Sequence, residues 1–233
     1  MVNKIHRVHP VSPRPQTIEQ AADAIKGGQV VVFPTRTLYG LGVDPFNGAA
    51  LERLFAIKQR PGDRPVSVLV RDRRDLAPLV QDLTSDARRI MDALWPGQVT
   101  LVLAARHSVP RRLTAGTGKI GVRMPAHPVA VALVAAMSGP VTATSANLSG
   151  RPGCWRIVDL HPHVAAAADM VLDAGPLDGG IGSTVVDVTG DRPRVLREGT
   201  VSVADIIKAL GHGGIIPDLP IVRPSGGLNR QNH

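Results

Sequence analysis

Val30-Val31-Val32-Phe33-Pro34-Thr35-Arg36-Thr37-Leu38-Tyr39-Gly40-Leu41-Gly42 begins as four apolar residues and breaks at a proline into hydroxyls, a tyrosine and two glycines. The apolar run does not alternate with polar residues, so it reads as a strand buried on both faces and stopped by Pro34. The stretch after it reads as a loop. Glycine lets a backbone approach a ligand closely, and Thr35 can both donate and accept a hydrogen bond. A plain turn after a strand accounts for the same residues, so this stretch alone does not decide a function.

Working outward, Thr17 reads as the N-cap of a helix that carries Ala21, Ala22 and Ile25 and closes at Gly27 and Gly28. Before it, residues 1–16 hold Pro10, Pro13 and Pro15 and are expected to be extended. Downstream the pattern predicts helices over 50–58, 86–94, 129–137 and 203–210. It predicts strands over 66–70, 99–103, 120–123 and 141–144, and others near Val171, Val185 and Val195. Strands alternating with helices give an α/β fold with an open sheet flanked by helices; the cluster of late strands makes that sheet mixed rather than purely parallel. Residues 17–210 form the expected α/β domain. Residues 211–233, with Gly211, Gly213, Gly214, Pro217, Pro220 and Pro224, read as a flexible tail or lid.

With 233 residues, 43% of them hydrophobic, the chain can bury one sizeable core. Neither a signal-peptide pattern nor a bilayer-length apolar run is seen, and the expected location is the cytoplasm, with no membrane partner. Cys154 is the single cysteine, which excludes an intrachain disulfide and a cysteine metal cage. A formal charge of +8 attracts phosphate-bearing partners without choosing between nucleotide and nucleic acid. Aromatic residues at 3% argue against single-strand binding by base stacking.

In open α/β sheets, ligands gather at the loops beyond strand ends, which directs the search for chemistry. Lys58 and Arg60 lie at a helix end, where they could clamp a polyphosphate or simply complement the helix dipole. Arg123 ends a strand and needs an anionic partner, either a substrate carboxylate or a structural acid. Ser145 and Asn147 follow another strand and offer oriented donors and acceptors among small side chains. Ser183 and Arg197 complete a candidate anion-binding rim, with ordinary loop capping as the alternative. A phosphate loop, a dinucleotide glycine fingerprint, a His-Glu-x-x-His helix and a nucleophile elbow are all missing. His161 and His163 read as surface or loop residues, and no metal-ligand set is assigned.

Together these segments resemble the YrdC/Sua5 family of threonylcarbamoyl-AMP synthases, in the family's order. They are Pro34-Thr35-x-Thr37-x-Tyr39-Gly40-Leu41-Gly42, Lys58-x-Arg60-Pro61, Trp95-Pro96-Gly97-x-x-Thr100, Val122-Arg123-Met124-Pro125, Ser145-x-Asn147-x-Ser149-Gly150, Gly182-Ser183-Thr184 and Leu196-Arg197-x-Gly199. The resemblance implies a twisted mixed sheet around a basic, concave ligand cavity, in the shorter single-domain form of the family. It implies an enzyme that makes threonylcarbamoyl-AMP and pyrophosphate from L-threonine, bicarbonate or CO2, and ATP with Mg2+, for N6-threonylcarbamoyladenosine on tRNA. By the same resemblance Lys58 and Arg60 would face the ATP phosphates, with Ser145, Asn147 and Arg197 also on the nucleotide. Thr35, Arg123 and Ser183 would hold threonine, and Tyr39 would support the cavity wall. Downstream threonylcarbamoyl transferase proteins and tRNA or other RNA are the implied partners.

The resemblance has a departure: many relatives carry a histidine near the position of Leu69. The rival reading is a module that binds double-stranded RNA or tRNA on the same basic cavity without ATP chemistry. A carbamoyl-adenylate domain like that of hydrogenase maturation proteins ranks last, because those proteins carry further regions for which this chain has neither the length nor the cysteines.

Overall fold

A computed structural model describes residues 4–211. Its first half runs β1 (Ile5–Arg7), α1 (Pro15–Lys26), β2 (Val31–Pro34), β3 (Tyr39–Gly42), α2 (Gly48–Lys58), β4 (Val68–Leu69), α3 (Ser85–Leu94), β5 (Val99–Ala104) and α4 (Arg111–Thr114). Then come β6 (Lys119–Arg123), α5 (Pro128–Met137), β7 (Val141–Thr142), β8 (Thr144–Ser145), α6 (Pro162–Ala167), β9 (Met170–Asp173), β10 (Thr184–Asp187), β11 (Arg194–Arg197) and α7 (Val203–Leu210). The expected α/β fold is present, and its strands divide between two mixed sheets, ordered β1-β9-β2-β3-β8 and β11-β10-β5-β6-β4-β7.

The division happens at Ala143, where the strand expected over 141–144 changes partners. Its first half, β7, runs antiparallel to β4, and its second half, β8, runs antiparallel to β3. Ser67 brackets the crossing residue: its carbonyl accepts from Ala143 N at 2.8 Å and its hydroxyl donates to Ala143 O at 2.9 Å. Beside it Thr142 ties the sheets together, donating its N–H to Val43 O at 3.0 Å and accepting Val43 N–H on Oγ1 at 2.9 Å. A strand that must leave one ladder for another needs such local substitutes for lost main-chain bonds.

Two local expectations change, and a third gains a partner strand. The first helix starts at Pro15 rather than after a Thr17 cap, because proline's fixed φ suits a first turn whose N–H groups have no helical partner. The Tyr39–Gly42 segment, read as loop, is strand β3, fully buried and paired antiparallel to β2. The proline-containing start of the chain contributes β1, which pairs in parallel with β9. The expected tail lies outside the described residues beyond Gly211, whose left-handed backbone (φ 69°) ends α7.

Two apolar clusters hold the layers. The larger packs α2, α3 and α7 against the sheets through Leu51, Leu54, Ile90, Met91, Leu101, Val186 and Ile206. The smaller joins α1 and α5 across β2, with Ile18, Ala22 and Ile25 meeting Val129, Leu133 and Phe33. Each fully buried large aliphatic side chain contributes about 1.5–3 kcal/mol by leaving water. Among the described residues no helix is long and apolar enough to cross a membrane.

Gly42 shows why β3 reads so poorly as a strand. A Cβ there would lie 2.7 Å from Phe33 Cε1 and 2.9 Å from Val141 Cγ1, so the strand passes over the Phe33 ring only without a side chain. Gly42→Ala is expected to lower unfolding stability by about 1–3 kcal/mol through overpacking, read from the urea midpoint at unchanged m-value.

Candidate active site

Period-2 alternation along β5, β6 and β10 builds one wall of a cavity of about 420 Å3. Thr100 and Val102 come from β5, Lys119, Gly121 and Arg123 from β6, and Val185 and Asp187 from β10. The opposite wall is supplied by the other sheet: Thr35, Thr37, Leu38, Tyr39 and Gly40 around the β2–β3 turn, then Ala143, Thr144 and Ser145. The cavity therefore sits where the strand crosses at Ala143. Gly121 keeps the floor low: a Cβ there would crowd Ser67 Cβ at 3.1 Å and Thr100 Cγ2 at 3.3 Å.

Six of the eight residues singled out in the sequence, Thr35, Arg60, Arg123, Ser145, Ser183 and Arg197, line this cavity. Arg60 donates to the carbonyls of Arg64 and Pro65 at 3.1 and 2.7 Å, and Arg197 donates from Nη2 to Ser183 O at 2.8 Å. Arg123 donates from Nη1 to Gln98 Oε1 at 3.3 Å. Among the described residues none of these three guanidinium groups forms an ion pair with a carboxylate, whereas ten other arginines or lysines do, Arg53 with Asp169 at 2.9 Å being one. Burial first, then repulsion from Arg197, pulls Arg123 down to about 10, so it stays charged at neutral pH. Burial also lowers Arg60, with Arg64 and Arg197 adding to it.

Lys58 and Asn147 stand behind this lining. At the end of α2, Lys58 is 1% exposed, and its Nζ donates to Ser145 O at 2.5 Å, Asn147 O at 2.9 Å and Asn147 Oδ1 at 2.9 Å. Asn147 Oδ1 also accepts from Ser145 Oγ at 2.7 Å, and its amide nitrogen donates to Arg151 O. Lys58, Ser145 and Asn147 thus form one unit under the cavity, with Arg60 two residues along the chain. Burial, and secondarily Arg60, pulls Lys58 down to about 7.

Other parts of the wall are fixed by hydroxyls. Thr35 Oγ1 donates to Leu38 O at 2.5 Å, closing the β2–β3 turn. Ser183 Oγ and Thr100 Oγ1 are 2.8 Å apart. Tyr39, wholly buried, donates to Gly175 O at 2.7 Å and accepts from Ala174 N at 3.0 Å, which ties the turn to the end of β9; burial raises its phenol further above its ordinary range. Gly199 passes so close to Gly182 O and Ser183 that no side chain fits, and its N–H donates to Thr184 Oγ1 at 2.9 Å.

The sequence reading missed Lys119 and Asp187, which close the far end of the cavity as a 2.9 Å ion pair, with Thr189 donating to Asp187 Oδ1 from N and Oγ1. Counting by twos back from Arg123 would have reached Gly121 and Lys119. Among the described residues Asp187 is the single carboxylate in the lining. Among the described residues no cluster of three or more His, Cys, Asp or Glu could hold a metal ion. His161 caps α6, accepting His163 N on Nδ1 at 3.2 Å.

The model of the Sua5/YciO/YrdC family, described as "Telomere recombination", matches residues 23–199. A relative in Mycobacterium tuberculosis, provisionally named a threonylcarbamoyl-AMP synthase, is 40% identical over 198 residues, 85% of this chain and 91% of that one. The threonylcarbamoyl-AMP synthase of Pyrococcus abyssi is 35% identical over 200 residues, 86% of this chain but 59% of the relative. The crystal structure of P. abyssi Sua5 complexed with L-threonine superposes with a TM-score of 0.83 at 34% identity, over 89% of this chain and 61% of that one. With the family model spanning the whole of the cavity wall from Thr35 to Arg197, and with sequence and fold agreeing over most of the chain, the chain belongs to the Sua5/YciO/YrdC family.

Proposed function

We propose that this chain is an L-threonylcarbamoyladenylate synthase, working in the cytoplasm on ATP, L-threonine and bicarbonate or CO2. The observation that carries the reading is the set of three guanidinium groups, Arg60, Arg123 and Arg197, that face one cavity without an ion pair to a carboxylate among the described residues. Such a set is costly unless anions fill it. Relatives named threonylcarbamoyl-AMP synthase, and one solved with L-threonine, support the same choice.

The chemistry asks for no protein nucleophile. The threonine amine combines with CO2 to give a carbamate. A carbamate oxygen attacks the α-phosphorus of ATP, the bond from that phosphorus to the bridging oxygen breaks, and pyrophosphate leaves. The protein's task is to hold two anions in line and to neutralise charge as it moves onto the leaving group. In this reading Arg123 takes the threonine carboxylate beside Thr35 and Ser183. Arg60, Ser145 and Arg197 take the triphosphate. Lys58 and Asn147 act from behind Ser145, fixing the loop that presents it. ATP brings Mg2+ on its own phosphates and water, since the one lining carboxylate, Asp187, is engaged by Lys119. The valines at that end, Val102 and Val185, offer apolar surface to the base. The mixed anhydride formed is then consumed by transferase proteins acting on tRNA. A module that only binds RNA is not favoured, because the unpaired arginines face into a cavity between two sheets.

Purified protein with ATP, Mg2+ and bicarbonate is expected to release pyrophosphate when L-threonine is present and not otherwise; release without threonine, or none at all, overturns the reading. Arg123→Ala should raise the KM for threonine about 10- to 100-fold and leave that for ATP nearly unchanged, as expected for losing a charge-assisted pair, while Arg60→Ala does the reverse.

The buried position of Lys58 has its own signature in stability. It binds its proton at about 7 in the folded chain against an ordinary value of 10.5. Between those values the unfolded chain holds the extra proton, so the stability of the wild type relative to Lys58→Met rises with pH, by up to about 1.4 kcal/mol per unit. Urea unfolding of both proteins at a series of pH values checks this; a flat difference contradicts it.

A further inference from the structure

Gln98 is nine-tenths buried at the start of β5, and its main chain is gripped on both sides. Its carbonyl accepts Thr184 N at 3.0 Å, Gly97 N donates to Met124 O at 3.0 Å, and Trp95 Nε1 donates to Val99 O at 2.8 Å. From this fixed base the amide oxygen accepts Arg123 Nη1 at 3.3 Å, the one side-chain hydrogen bond of that arginine among the described residues. Turned the other way, the amide would set donor against donor, so Arg123 fixes its orientation. Its nitrogen is then left without a partner. The other buried side-chain atom in that condition, Arg112 Nε, lies 2.9 Å from the Glu52 carboxylate, which leaves Gln98 Nε2 as the unexplained donor among the described residues. An unpaired buried donor in a native wall calls for an explanation, and a functional role is one of the recognised ones. Gln98 also borders a side pocket of about 10 Å3, and two other residues of that pocket, Thr35 and Arg123, line the main cavity as well.

We propose that Gln98 is a positioning residue that orients Arg123 toward the amino-acid carboxylate, and that it is an amide so that the arginine is oriented without losing its charge. This rests on the synthase reading. A carboxylate at position 98 would orient the guanidinium equally well but would neutralise it, and would repel an incoming carboxylate. An apolar side chain would leave the charge and free the guanidinium to turn.

The test compares wild type, Gln98→Glu and Gln98→Leu in pyrophosphate release, with L-threonine as substrate and L-threoninamide, which lacks the carboxylate, as competing ligand. Thermal melting of each protein shows that it is folded. The expected result is a KM for threonine raised about 10- to 100-fold in Gln98→Glu and several-fold in Gln98→Leu, with the KM for ATP and inhibition by threoninamide both within about twofold of wild type. An unchanged threonine KM in a folded Gln98→Glu overturns the assignment, as do parallel losses for threonine, threoninamide and ATP, which mark a structural role only. A wild type that releases no threonine-dependent pyrophosphate overturns the synthase reading itself, and with it this inference.

Discussion

A buried ammonium with no carboxylate beside it organises one wall of the cavity. Lys58 has three N–H donors and meets three oxygens, two main-chain carbonyls and one side-chain amide. Taking a cation out of water is expensive unless every donor finds an acceptor, so the loop from Ser145 to Asn147 must fold around that one atom. The C-terminal dipole of α2 helps, since it favours positive charge at its last turn. Ser149 N donates to Lys58 O at 2.8 Å, which closes the exchange between helix and loop. The loop could not relax without stranding the charge, and Ser145 is therefore presented to the cavity by a rigid support.

The arginines on the other side of that support are treated differently from those outside. Several exposed cations of this chain find acids: Arg36 meets Asp178, Arg156 meets Asp159 and Arg73 meets Asp92. Such pairs contribute roughly 0–1 kcal/mol each and mainly keep the surface soluble. Arg60, Arg123 and Arg197 find only carbonyls, hydroxyls and one amide, and repel one another. Stability is given up there for a site that anions complete, a common exchange at functional positions. The net charge of the chain could not reveal this, because what matters is which arginines lack an acid, and pairing is a property of the fold.

The alternation of strands and helices was legible because each element is short, strongly apolar on its buried face and bounded by glycine or proline; α7 has the expected span of 203–210. β3 was hidden because two of its four residues are glycines, which carry no strand signal, yet the bareness of Gly42 is what lets the strand cross Phe33. The split into two sheets was hidden for a related reason. A run such as 141–144 looks the same whether it keeps one partner or changes partners midway, and the change is recorded only in long-range bonds from Ser67 and Val43. In the site, chemistry-bearing residues at strand ends could be found from their type, as Arg123 and Ser183 were. Lys119 opens β6 and Asp187 closes β10, where each reads as an ordinary surface charge at a strand boundary, and Gln98 is a neutral residue within Trp95-Pro96-Gly97-Gln98, where nothing in the sequence singles it out.

Leu69 and Gln98 bear on the same question from opposite sides. Leu69 pairs in register with Arg123 across β4 and β6, but its side chain is wholly buried in the smaller apolar cluster with Phe33 and Val129. A histidine in that cluster would need a polar partner that the surrounding aliphatic side chains do not provide. Leucine is thus the residue the packing favours, and it contributes no polar atom beside Arg123. The polar atom beside Arg123 in this chain is Gln98 Oε1, reached from the segment leading into β5 instead of from β4. The guanidinium is steered from one neighbouring strand while the other is left to pack, and the polar contact and the core contact are carried by different residues.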